Sequence, residues 1–431
     1  MKITTKFLVC PFLMLQAANA LAEKNNTNGV DFDLYALTKL SDNALRRPDG
    51  EIEERQDIYR AAITARYTGE WAYLRSSYEA SRHLFEKDSQ IDRNILEGDT
   101  ELRLGNDYQP LSLLLTHSRR SLLNQPDAID LLRNRDEREI LGAQPMLKWK
   151  LNPSDALILG ATYSEISYKT AIAQDSKVEG VNLRWQLGLT KVDTLSFIVQ
   201  QNEVTFDYVP ELDYRHQGAF ASYAVQLNNL DYSLTLGGAR VIFDADEDDM
   251  VRPSFDIAVN YHSGYNLFKF IANRQITNTS MGNGNNLGLG DSLSDALTNN
   301  VDLIDLRRAE FTWATTAICE RCNFNLSAFD TDQNYQKSNQ SFTEKGLGAG
   351  FNYKFTRAAS AYVNAARSKR TFDPDSLRND YTVDRVKIGL MYKFNNDLVI
   401  SIFHAEEKRD SVLLSENYVE HFTGLSLSYS F

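Results

Sequence analysis

The sequence predicts an all-β fold, a transmembrane antiparallel up-and-down β-barrel of about 18–20 strands, preceded by a cleaved leader. Three observations predict it. The closing segment alternates strictly, Val419, His421, Thr423, Leu425, Leu427, Tyr429 and Phe431 against Glu420, Phe422, Gly424, Ser426, Ser428 and Ser430, which is the period of two of a half-apolar strand. The 21 Tyr and 22 Phe are enough to ring both interfaces of a membrane, yet the mean hydropathy is on the hydrophilic side. A barrel reconciles these, because only alternate side chains meet lipid. At the other end, Lys2 and Lys6 precede an apolar run from Phe7 to Leu15, and Ala18-Asn19-Ala20 and Ala20-Leu21-Ala22 are both acceptable cleavage sites.

The leader is taken as residues 1–22 and the barrel as 23–431. The apolar run is well short of the roughly 20 residues a spanning helix needs. Cys10 lies too early in it for a lipid attachment site. Candidate strands then begin near Val30, Asp57, Trp71, Arg93, Leu111, Arg138, Asp155, Lys177, Asp193 and Tyr214. They continue near Asp231, Arg252, Asn266, Ile304, Asn323, Thr343, Ala358, Thr382, Asp397 and Tyr418. Connectors alternate in length. Thr68-Gly69-Glu70, Asn152-Pro153-Ser154 and Asn395-Asn396 are short, whereas Gln125 to Glu137, Met281 to Asp302 and Phe372 to Asp380 are long and polar. Short turns belong on the periplasmic side and long loops outside, so an even strand count puts both termini in the periplasm. Two outer loops carry helical spacing, Pro126 to Arg135 and Asp291 to Leu303. Each either folds into the mouth as a constriction or rests on the rim.

Alternation also assigns faces. Charge facing hydrocarbon costs about 2–4 kcal/mol at the midplane, so the charged faces are expected to line the lumen. Arg60, Arg66, Arg75, Arg103, Lys148, Lys150, Arg184, Arg385 and Lys387 then offer a basic track for an anionic solute. The competing reading is cross-strand pairing with Glu79, Glu97, Asp99, Glu101 and Glu310, which only stiffens the wall. Pairing is favoured for Arg66, Arg75 and Arg103. The later group, Arg385, Lys387 and Lys393 with Lys354, has fewer acidic neighbours in sequence and is the better selectivity candidate. Tyr362 and Phe220 are candidate lumenal aromatics, their bland reading being packing against an inward loop.

The net charge of -12 with no basic domain argues against nucleic acid as a partner. Of 3 Cys, Cys10 leaves with the leader. Cys319 and Cys322 are expected to form a local disulfide in an oxidising compartment, ahead of a redox or zinc motif that lacks its context. Catalysis is not expected. His117-Ser118 places a hydroxyl beside an imidazole, but adjacent strand residues point to opposite faces. Nucleophile-elbow and zinc-protease motifs are missing from the sequence. The acidic run of Asp244, Asp246, Glu247, Asp248 and Asp249 reads as a solvated loop rather than a Ca²⁺ site. No metal and no cofactor are expected.

The terminal Tyr429-Ser430-Phe431 resembles the assembly signal of Gram-negative outer-membrane barrels. The Arg/Tyr/Glu-bearing strands between Tyr59 and Arg103, the hairpin from Leu151 to Ser164 and the closing strand together resemble a family of outer-membrane barrels tied to exopolysaccharide secretion, the EpsL-type barrels and those of the exosortase (PEP-CTERM) system. The resemblance implies a wide outer-membrane conduit or accessory for a polysaccharide leaving the cell, with outer-membrane lipid, the barrel assembly machinery and periplasmic or inner-membrane export components as partners. It carries no catalytic residues. Two other readings stand beside it, a diffusion porin for small solutes and a surface attachment protein acting through its long loops.

Overall fold

The computed structural model describes residues 28–431 except 107–108, 126, 244–248, 281–300 and 377. The expected leader, most of the acidic run and most of the second helical loop lie outside the described residues. The strands are β1 Gly29–Ser41, β2 Glu54–Thr68, β3 Ala72–Phe85, β4 Arg93–Leu104, β5 Leu111–Leu123, β6 Arg135–Lys150 and β7 Asp155–Tyr168. Then come β8 Ser176–Gly188, β9 Asp193–Phe206, β10 Tyr214–Gln226, β11 Leu230–Phe243, β12 Met250–Ser263 and β13 Asn266–Asn278. The last are β14 Leu303–Thr315, β15 Cys322–Tyr335, β16 Phe342–Lys354, β17 Ala359–Phe372, β18 Tyr381–Lys393, β19 Leu398–Ser411 and β20 Tyr418–Ser430.

Each strand pairs antiparallel with its sequence neighbours, and β1 pairs with β20, so the 20-stranded sheet closes on itself. Closure leaves no unpaired edge, the condition for putting a sheet in lipid. Phe431 completes the seam, its N–H donating to the Phe32 carbonyl at 2.8 Å.

Strands of 12 to 16 residues exceed the roughly 9–11 that cross a membrane at the usual tilt. The surplus explains where the sequence reading went astray. On β9 the outward residues run Leu195, Phe197 and Val199, then Gln201, Glu203 and Thr205. The inward ones run Ser196, Ile198, Gln200 and Asn202, mostly polar, then Val204 and Phe206, which are buried. The amphipathic phase therefore inverts along the strand. The same holds around the wall: outward ion pairs Lys177–Asp207 (3.1 Å), Lys345–Asp330 (3.0 Å) and Lys408–Asp410 (2.8 Å) sit toward the outer ends of their strands. An interior apolar cluster joins Leu122, Ile166, Val204, Tyr214, Val241 and Leu303 from strands as far apart as β5 and β14. Charge lines the lumen in the periplasmic half, whereas in the outer half the inner wall combines this apolar cluster with buried ion pairs such as Arg385–Glu407 and Arg274–Asp305. Above the hydrocarbon the outer face meets water, and burial favours apolar side chains inside. Strand starts also move: β2 begins at Glu54 rather than Asp57, and β6 at Arg135 rather than Arg138, because the ladders continue through charged residues that had looked like loop.

The lipid-facing belt ends in aromatics at the periplasmic side. Trp149, Trp185, Tyr392 and Tyr429 are exposed there, and Phe268 stacks on Trp313 at 6.3 Å between centroids. On the inner wall, four aromatics lie opposite a glycine on the next strand: Phe220–Gly237, Phe329–Gly346, Tyr362–Gly389 and Phe403–Gly424. A Cβ on Gly424 would come within 2.3 Å of the Phe403 ring. Tyr362 and Phe220 thus lie against the wall itself, neither projecting into the bore nor packing on a loop.

Candidate functional site

The bore and its outer mouth are the candidate site. The β5–β6 loop does not rest on the rim. Its base closes through the Asn124 N–H to the Asn134 carbonyl at 2.8 Å, and a single 3-10 turn, Leu132–Asn134, ends it. Between these, the chain reaches across the opening as a strap. Arg46 of the β1–β2 loop donates to the Asp130 carbonyl at 3.1 Å. The Leu132 N–H donates to Gln90 of the β3–β4 loop at 3.0 Å. Across the seam between β20 and β1, Arg409 of β19 donates to the Asp127 carbonyl at 2.8 Å, and Arg378 of the β17–β18 loop pairs with the Asp127 carboxylate. Leu131 is 4% exposed, the apolar anchor beneath these ties.

A second tie comes from the base of the β13–β14 loop. The Tyr168 hydroxyl on β7 donates to the Ser280 carbonyl at 2.7 Å, and Asn278 donates to the Tyr214 hydroxyl on β10 at 2.6 Å. Asp302 accepts the Lys337 and Ser338 N–H groups at 3.0 and 2.8 Å, clasping the β15–β16 loop.

Behind the strap lies an ionic cluster. Glu407 accepts from Arg385 at 2.8 Å and from the Tyr418 hydroxyl at 2.6 Å, and forms an ion pair with Arg46 at 3.0 Å. Glu420, facing Glu407 in register, accepts from Lys39 at 2.6 Å, Ser41 at 2.7 Å and Arg46 at 2.9 Å. Burial disfavours the charged Arg46 guanidinium, but Glu407, Tyr418, Glu420 and Asp130 outweigh it and push its pKa up, so Arg46 stays a cation. A cavity of about 230 Å³ adjoins the cluster, lined among others by Lys39, Arg46, Glu54, His83, Arg135 and Glu420.

The residues singled out from sequence divide. Arg60 lies 3.6 Å from Glu79 and over the Tyr35 ring at 4.9 Å. Arg66 is opposite Arg75 and 3.7 Å from Asp31; Arg75 is opposite Glu101; Arg103 pairs with Glu101 at 3.2 Å. Lys148, Lys150 and Arg184 lie in the periplasmic halves of β6 and β8. The later group does not gather. Arg385 sits in the outer half of its strand, bound to Glu407, whereas Lys393 closes β18 and Lys354 closes β16, both at the periplasmic rim. Arg385 and Lys393 are roughly 26 Å apart along the strand. Its supposed lack of acidic neighbours is a correction: register puts Glu407 directly opposite, a partner invisible when counting charges along one strand. Lys387 stacks over Phe403 at 3.9 Å. Arg46, Asp127 and Arg409 escaped sequence reading. The only signal for Asp127 was the helical spacing of its loop.

Cys319 and Cys322 are bonded in the β14–β15 turn at the periplasmic rim. His117 faces outward between Tyr78 and Glu139, while Ser118 is buried inward, so the two do not meet. Asp249 pairs with Arg240, Nε at 3.0 Å.

A closed strand wall, an apolar outer belt and a polar inner wall define an outer-membrane β-barrel, located in the outer membrane of a Gram-negative cell. No family model and no curated protein matches the chain. Among solved structures it is similar to the outer membrane protein opdK of Pseudomonas aeruginosa, at 11% identity and a TM-score of 0.38 over 94% of this chain and 99% of that one. It is also similar to OccK2 (OpdF) of the same organism, at 11% identity and 0.40 over 93% and 98%. The siderophore receptor PirA of Acinetobacter baumannii aligns at 11% identity and 0.44 over 95% and 81%. Likeness at this level extends to barrel architecture and no further.

Proposed function

We propose that the protein is a diffusion channel for small polar solutes, with its outer mouth narrowed by the β5–β6 strap. The supporting observation is the reach of that strap from its base between β5 and β6 to the seam and the β17–β18 loop, where Arg46, Arg409 and Arg378 hold it. A strap anchored at both ends leaves room for small hydrated molecules and obstructs a polymer. The charged groups at the mouth are mixed in sign, with Lys39, Arg46 and Arg385 set against Glu407 and Glu420. The polar periplasmic half offers weak, repeated contacts of the kind conduction needs. Export of a polysaccharide would require the strap to swing out.

The test is single-channel recording in planar bilayers, with Arg378→Ala/Arg409→Ala as the opened variant. Small discrete conductance in the wild type and larger conductance in the variant support the reading. Wild type and variant both silent, with a gene deletion trapping polysaccharide in the periplasm, would overturn it in favour of export.

A further inference from the structure

We propose that the outer face of β1–β4 holds one phosphorylated acyl glycolipid of the outer leaflet, its acyl chain in a furrow and its phosphate on a cationic cap. A groove of about 850 Å³ opens there on the lipid side. Its floor is made of small residues: Ala36, Ala61 and Ala80 project from adjacent strands, with Ala61 opposite Ala80 in register. Tyr59 and Leu96, both exposed, stand as its walls. An alkyl chain fits such a furrow because bulky neighbours flank a strip where the wall recedes.

The outer end of the furrow changes character. Arg82, Arg119 and Lys169 line it together with Glu137. Glu137 accepts from Arg119 at 2.8 Å, from Lys169 at 2.8 Å and from Arg93 at 3.3 Å, so one carboxylate is shared among three cations. Glu139 lies 4.0 Å from Arg119 but is hydrogen-bonded to His117 at 2.9 Å. Arg82 is exposed and, among the described residues, has no ion-pair partner. The cap is therefore net positive on a chain whose net charge is -12. Excess positive charge directly above an acyl-sized furrow, at the level where the outward face turns polar, matches an anionic headgroup attached to a chain. Guanidinium groups suit phosphate because they donate in a planar fork.

The experiment incorporates the full-length protein into nanodiscs and counts retained lipid by native mass spectrometry, using bis-phosphorylated lipid A, dephosphorylated lipid A and phosphatidylglycerol as probes. Wild-type protein should retain the phosphorylated form at least about tenfold better than either other lipid, and Arg82→Ala/Lys169→Ala should remove at least about tenfold of that retention. Ala80→Leu, which fills the furrow but leaves the cations, should also weaken it. The heat-dependent gel shift of a folded barrel verifies each variant. Equal retention of all three lipids, or retention unchanged in both variants, would overturn the proposal.

Discussion

Glu407 is the side chain on which the outer mouth depends most, and Glu407→Ala is the sharpest perturbation. Its side chain is 9% exposed and receives Arg385, Arg46 and the Tyr418 hydroxyl. Removing one partner of a buried charge pair costs about 3–5 kcal/mol, because the other charge stays buried without it. Arg46 retains Glu420 at 2.9 Å and the Asp130 carbonyl at 3.1 Å, which places the expected loss near the lower bound, about 3 kcal/mol. Glu407→Gln keeps an acceptor for Tyr418 and loses mainly the charge, for about 2 kcal/mol. Trp149, Trp185 and Trp313 report folding into vesicles by fluorescence, so a urea titration reads both values. Because Arg46 also holds the strap, the alanine variant should conduct more than wild type. A loss below about 1 kcal/mol together with unchanged conductance would refute the view that this cluster is a buried, cooperating unit.

Other outcomes follow from the same geometry. Gly424→Val should destabilise by about 1–3 kcal/mol, since a Cβ there meets the Phe403 ring at 2.3 Å; Phe403→Ala in the same chain should recover part of that loss, read by the same titration. Cys319→Ser/Cys322→Ser opens a loop with a sequence separation of only 3 and should lower stability by about 2 kcal/mol or less, with conductance unaltered. Deleting Phe431, which is 68% exposed and anchored by one backbone bond to Phe32, should reduce the yield of inserted barrel in cells far more than the urea midpoint of the purified protein. Equal losses in both would reject an assembly role for the terminal residue.

The strand count and wall order were legible because each lipid-facing run, such as Leu195, Phe197 and Val199, repeats with a period of two and ends at a short turn. Only the alternation within hydrocarbon is so constrained. Beyond it the rule changes sign, and Val204 and Phe206 would have been assigned to lipid by apolarity alone. The mouth was less legible still. Arg378 and Asp127 are 251 residues apart in sequence, and nothing local to either foretells that contact. Arg385 was misjudged for a related reason: its partner stands on the next strand, where only register reveals it. Helical spacing did mark the Pro126–Arg135 loop, without telling which way it would turn.

The inverted outer half also bears on how such a barrel reaches its destination. Each hairpin must carry Glu203, Lys345, Asp330 and their like from the periplasm through the hydrocarbon before they emerge in water. A lone Arg or Lys at the midplane costs about 2–4 kcal/mol, and a wall of them would forbid spontaneous passage. Lys345 and Asp330 face each other directly across the β15–β16 hairpin, so they can travel as a neutralised couple if that hairpin zips before it crosses. The order of events is then set by electrostatics: strand pairing first, translocation second, and the mouth's long-range knots only after the last strand has joined the first.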